Sequence, residues 1–131
     1  MHIVPLYASI LALLFVALSV RTLRMRRGLK IAIGDAGNPA MLRAMRVHSN
    51  FAEYVPLSLL LIYFVEVGGA NVLIVHILAL CLLVGRASHA FGVSQVNENY
   101  AFRVFGMAMT FTSLVSASAY VLYSYASNLG T

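Results

Sequence analysis

The sequence predicts an all-α integral membrane protein, a bundle of four transmembrane helices, and three observations lead there. Of 131 residues, 61% are hydrophobic and 10% charged, with a mean hydropathy of +0.87, whereas soluble domains average about half apolar and a quarter charged. Four stretches, 1–20, 47–65, 67–85 and 104–131, hold a single ionised side chain between them, Glu53. Each is at least 19 residues long, and about 20 apolar residues rising 1.5 Å apiece cross a hydrocarbon core of roughly 30 Å. Little chain is left over, so residues 1–131 read as one four-helix domain without a soluble portion, and nothing repeats at a fixed period.

The first helix is expected from Pro5, a residue suited to a first helical turn, to about Leu23. Met1 to Val20 starts without charge and ends in a basic run, the reverse of a secretory signal, so it reads as a retained span. Gly34 to Pro39 concentrates turn formers, and Asn38 followed by Pro39 predicts an N-cap with proline at the first helical position. Helix two should run to about Glu66 with a bend at Pro56, which leaves the Ala52 carbonyl without its helical N–H. Helix three is expected from Asn71 to Phe91, a connector from Gly92 to Asn99, and helix four from Tyr100 to Ser127. Small residues crowd helix four, among them Gly106, Thr110, Ser113 and Ala117, a pattern suited to close helix packing in lipid.

The net charge is +5 and the isoelectric point near 9.8. In a soluble chain that would suggest nucleic acid; here the nine basic residues all fall on one side of the predicted spans, which makes them a topology signal and an anionic-lipid contact. The positive-inside rule puts that side in the cytoplasm and both termini across the membrane. Cys81 is the single cysteine, so neither a disulfide framework nor a cysteine metal site forms within one chain, and no His, Cys, Asp or Glu set has metal-ligand spacing.

Chemistry concentrates in Arg43-Ala-Met-Arg46-Val-His48-Ser-Asn50-Phe-Ala-Glu53-Tyr54-Val-Pro56. At 100° per residue, Arg46, Asn50 and Glu53 lie within about 60° of one another, with Arg43, Tyr54 and Leu57 bordering the stripe. Glu53 enters the apolar region roughly 10 Å beyond Arg46, where an unpaired carboxylate is costly, and its expected partner is an arginine of helix two or a neighbouring helix. His48 points some 160° from Arg46 and, in a symmetric ring, would reach the next subunit. Arg86 and His89 share a face at the end of helix three, and Arg103 opens helix four on the same side. These groups could converge on a cytoplasm-facing pocket for an anionic ligand; a network that only fixes helix packing, with Arg86 and Arg103 snorkelling to the interface, is the other reading.

Arg46-x-x-x-Asn50-x-x-Glu53-Tyr54-x-Pro56 in a second membrane helix resembles the signature of the MAPEG superfamily, the membrane-associated proteins in eicosanoid and glutathione metabolism. Gly85-Arg86-x-x-His89 and the Gly34-Asp35 turn resemble its short bacterial inner-membrane members. The resemblance implies a homotrimer of four-helix bundles with glutathione, as cosubstrate, held between subunits by residues matching Arg46, Asn50, Glu53 and Tyr54. His48, Arg86 and His89 join them as candidate glutathione-binding residues. Arg103 is the candidate catalytic residue, matching an arginine that stabilises the thiolate. A thiol of pKa about 8.5 is mostly protonated at neutral pH, and a guanidinium beside it lowers that value. Where the conjugating members carry helix-three tyrosines, this chain has His89-Ala-Phe91-Gly-Val93.

The leading expectation is therefore a membrane-bound glutathione-dependent transferase or peroxidase acting on lipophilic electrophiles. Its partners are other copies of itself, membrane lipid and a lipophilic small-molecule substrate, with no nucleic acid. The alternative is a non-catalytic trimer of the same fold that binds a lipid or a protein. A small four-helix multidrug transporter ranks below both, because that class needs a carboxylate in its first span and this chain has none there.

Overall fold

The structure, a computed structural model, describes residues 2–128. Among them helices are the only regular elements: α1 (Val4–Leu29), α2 (Pro39–Val67), α3 (Val72–Val93) and α4 (Tyr100–Asn128). All four are long and apolar enough to cross a membrane. The two chain ends, expected on the non-cytoplasmic side, lie outside the described residues.

Local chemistry explains most helix ends. Pro5 sits in the first turn of α1. The helix then continues six residues past the expected Leu23, because Arg24, Met25, Arg26 and Arg27 are good helix formers and cations suit a helix C-terminus. The apolar run marks where lipid ends, not where the helix ends. Lys30 stops it in the left-handed conformation at φ 55°, its N–H donating back to the Arg26 and Arg27 carbonyls. The connector to α2 turns on Gly34 and Gly37, both at positive φ where a β-carbon would be strained. Asn38 then caps α2, accepting from the Met41 N–H at 3.0 Å, with Pro39 at the first helical position. Asn71 and Asn99 do the same for α3 and α4, accepting from Leu73 N–H at 2.8 Å and Ala101 N–H at 3.0 Å.

α2 passes through Pro56 without interruption. Next to it the buried Ser58 hydroxyl donates to the Tyr54 carbonyl at 2.8 Å, a local bond that satisfies a polar group where no water reaches.

The helices run up and down, and each end of the bundle is tied differently. At the end that carries no arginine or lysine, α1 begins on an isoleucine that offers no capping side chain. The Glu66 carboxylate, from the last turn of α2, supplies the cap instead by accepting from the Ile3 and Val4 N–H groups. Tyr7 and His76 join α1 to α3 nearby through a 3.0 Å hydrogen bond. At the basic end, Arg21 donates to the Ser94 hydroxyl and carbonyl, and Arg43 donates to the Val93 carbonyl at 3.2 Å. Between these ends Leu11, Phe51, Ile62, Val65, Val75 and Leu82 fill the interior.

α3 and α4 make the tightest pair, and two glycines allow it. A β-carbon at Gly106 would fall 2.6 Å from the Gly85 carbonyl oxygen and 2.6 Å from the His89 nitrogen. The backbones thus meet with nothing between them, which is how helices associate when lipid is as apolar as the side chains and van der Waals contact carries the pairing. Hydroxyl bonds reinforce the seam: Ser113 donates to the Leu78 carbonyl at 2.8 Å and Ser88 to the Phe102 carbonyl at 3.0 Å.

Candidate functional site

At the basic end, the first half of α2, the last turns of α3 and the start of α4 enclose a cleft of about 600 Å³. Arg46, Asn50 and Glu53 line it from α2, His89 from α3 and Arg103 from α4. The α2 residues arrive together because they fall on one stripe of a helix held upright by the Val47 and Phe51 core face. His89 and Arg103 arrive because the Gly85–Gly106 contact brings the end of α3 against the first turns of α4.

Arg86 lies behind this wall, not in it. Its side chain is 1% exposed and sits within the span. No carboxylate among the described residues pairs with it; neutral groups hold it instead. Nε donates to Thr110 Oγ1 at 2.9 Å, Nη1 to Asn50 Oδ1 at 2.7 Å and Nη2 to Met107 Sδ at 3.3 Å. The guanidinium also stands 5.6 Å from the centroid of the Tyr54 ring, whose face attracts a cation, and Phe111 packs edge-on against that ring at 5.5 Å. Three directional bonds and an aromatic face compensate a charge that would be costly at this depth. Their effect on the site is geometric: with its oxygen held by Arg86, Asn50 keeps its amide N–H groups available to the cleft.

The remaining charges form a second layer. Arg43 donates to Glu98 Oε2 at 2.7 Å, and Arg103 Nη1 lies 3.9 Å from Glu98 Oε1. Arg43, Arg46 and Arg103 against Glu53 and Glu98 leave the cleft one net positive charge. Arg46 and Glu53 are exposed and have no ion-pair partner among the described residues. The arginine partner expected for Glu53 is not found among the described residues: Arg43 is engaged by Glu98 and Arg86 by Asn50, while Arg46 on the same stripe stands unpaired.

His48 faces the other way. Its ring stacks on Phe15 at 4.8 Å and its Nε2 lies 3.0 Å from the Ser19 hydroxyl of α1. With Arg26 and Thr22 it lines a separate groove of about 390 Å³ between α1 and α2. Further along the bundle, away from the basic end, the same two helices enclose an apolar groove of about 310 Å³ along Ala12, Phe15, Phe51 and Val55.

The helix-two stripe, the glycine and arginine of α3 and the arginine opening α4 thus occupy one end of a four-helix membrane bundle. The model of the MAPEG family matches residues 4–123. The chain belongs to the MAPEG family. It is similar to the inner membrane protein YecN of Escherichia coli strain K12, with 36% identity over 110 residues that make up 84% of this chain and 82% of the relative. The protein of the same name from Escherichia coli O6:H1 matches to the same extent.

Of the residues singled out by the MAPEG resemblance, Arg46, Asn50, Glu53, His89 and Arg103 share the cleft. Arg86 and Tyr54 stand together behind it, and His48 lies on the opposite side of α2 in the same chain. Sequence reasoning missed Glu98. It is the one charged residue of the 94–99 connector, five positions before Arg103, and that isolation was its only signal. A connector has no helical period from which its burial could be read.

Proposed function

We propose that this MAPEG protein is a glutathione-dependent membrane enzyme, conjugating or reducing lipophilic electrophiles, that lies in a bacterial inner membrane with the cleft toward the cytoplasm. The observation that carries the reading is the convergence of Arg46, Asn50, Glu53, His89 and Arg103 on one cleft of ligand size at the basic end of the bundle. Glutathione has two carboxylates and an ammonium, so it needs cationic and anionic groups together. Arg46 is free to take a carboxylate, Glu53 to take the ammonium, and the Asn50 amide to bond a peptide carbonyl. Arg103 would hold the thiolate, which attacks a substrate entering from the bilayer.

The protein would work as a homotrimer. Opposite the cleft face of α2, His48 packs on Phe15 and Ser19 of its own α1, so a ring of three would set that α1–α2 edge, and not the imidazole itself, toward the cleft of the next subunit. Inner-membrane location is supported by the name of the Escherichia coli relative and the four apolar helices; the cytoplasmic orientation rests on the placement of the nine basic residues.

Purified protein in detergent should form glutathione conjugates with a chloronitrobenzene electrophile or reduce a lipid hydroperoxide, and Arg103→Ala should lower turnover at least tenfold while leaving glutathione binding largely intact. Absence of both activities, together with no thermal stabilisation by glutathione, would sink the enzyme reading. A non-catalytic trimer of the same fold is favoured by one feature, the Glu98 carboxylate facing Arg103 at 3.9 Å, which opposes a thiolate there; glutathione binding without turnover is its signature.

A further inference from the structure

Glu98 has an unusual environment for an acid in a connector. Its side chain is only 3% exposed. Oε2 is satisfied by Arg43 of α2, whereas Oε1 is buried and has no hydrogen-bond partner among the described residues. A carboxylate buried with one oxygen unsatisfied is costly. The nearest donor is Nη1 of Arg103, at 3.9 Å.

The two groups differ in freedom. The connector is pinned at both ends, by Arg21 on Ser94, by the Ser94 hydroxyl on the Ala90 carbonyl, by Arg43 on the Val93 carbonyl and by the Asn99 cap on α4. Arg103 is 52% exposed and can move. A shift of about 1 Å brings its guanidinium to the usual distance of about 2.8 Å for a charge-assisted bond. The carboxylate is the anchor and the arginine comes to it.

We propose that Glu98 positions Arg103 and, by holding the cleft at one net positive charge, sets the net charge of the ligand the cleft selects. Without the carboxylate the cleft carries two net positive charges and Arg103 swings free. The proposal rests on the glutathione reading for its main probes. Glutathione with a protonated thiol carries one net negative charge, the match for the cleft as built. Its sulfonate analogue carries one more, placed on the sulfur, where Arg103 would act.

Isothermal titration of detergent-purified wild type, Glu98→Asp and Glu98→Gln with both compounds at one ionic strength tests this. Glu98→Gln keeps a carbonyl for Arg43 to bond while removing the charge. The ratio of sulfonate to glutathione affinity should rise about tenfold in Glu98→Gln and about threefold in Glu98→Asp, whose shorter carboxylate withdraws from Arg103. A merely structural role would scale both affinities by the same factor and leave the ratio unchanged, and that result overturns the proposal. Should Glu98→Gln not fold, the Glu98→Asp ratio decides alone. If wild type binds neither compound, the glutathione reading fails by itself, and sulfate becomes the probe. Glu98→Gln should then bind sulfate about tenfold more tightly than wild type, and equal binding overturns the inference.

Discussion

Replacing Gly106 by alanine tests the idea that a glycine contact assembles the site. The new β-carbon would stand 2.6 Å from the Gly85 oxygen and 2.6 Å from the His89 nitrogen, where ordinary contact begins at 3.4 Å. Both neighbours are backbone, so no side chain can rotate away, and α3 and α4 must part by about 0.8 Å. Overpacking of this kind costs about 1–3 kcal/mol. The same displacement stretches the 2.9 Å bond from Arg86 to Thr110 out of hydrogen-bonding range, which adds about 1.5–3 kcal/mol for a bond to a charged group. Alanine returns up to about 1 kcal/mol through helix propensity, so the net loss is about 1.5–6 kcal/mol. Gly28 provides the opposite case, because a β-carbon there meets nothing within 4 Å. Gly28→Ala should be neutral or stabilise by up to about 1 kcal/mol. Unfolding of the three proteins in mixed micelles of increasing denaturing detergent measures both changes. A Gly106→Ala protein within about 0.5 kcal/mol of Gly28→Ala would refute the packing argument.

Two further outcomes follow from single polar groups. Arg86→Lys keeps the charge but cannot reach Asn50, Thr110 and Met107 together, so the same unfolding assay should show a loss of about 2–4 kcal/mol; stability equal to wild type would mean the three bonds contribute nothing. Glu66→Ala removes the cap on α1 and should lower stability by about 1–2 kcal/mol, with amide exchange accelerated at Ile3 and Val4 and unchanged at Met41, whose cap is Asn38.

The spans were legible because lipid excludes charge, and the start of α2 because Asn38-Pro39 is a capping pattern with a mechanism. The end of α1 was not, since Arg24 to Leu29 is both charged and helical, and charge scarcity reports only the first of those properties. At the site, one stripe of α2 could be read from helical periodicity alone, and the structure sets Arg46, Asn50 and Glu53 side by side in the cleft. Which side of that wall Arg86 occupies depends on how closely α3 meets α4, a tertiary distance governed by Gly85 and Gly106. Glu98 lay furthest from view, because burial of a connector residue follows from what its two flanking helices do and from nothing in its own neighbours.

The Glu66 cap gives the helices an order in time. The first span is made first, yet the groups that complete its start and the acid that completes them are 63 positions apart. At roughly 5–20 residues per second, the Ile3 amide waits about 3–13 s for its partner to be synthesised. α1 thus leaves the ribosome ahead of α2, yet its first turn is finished only after all but the last residue of α2 has been made.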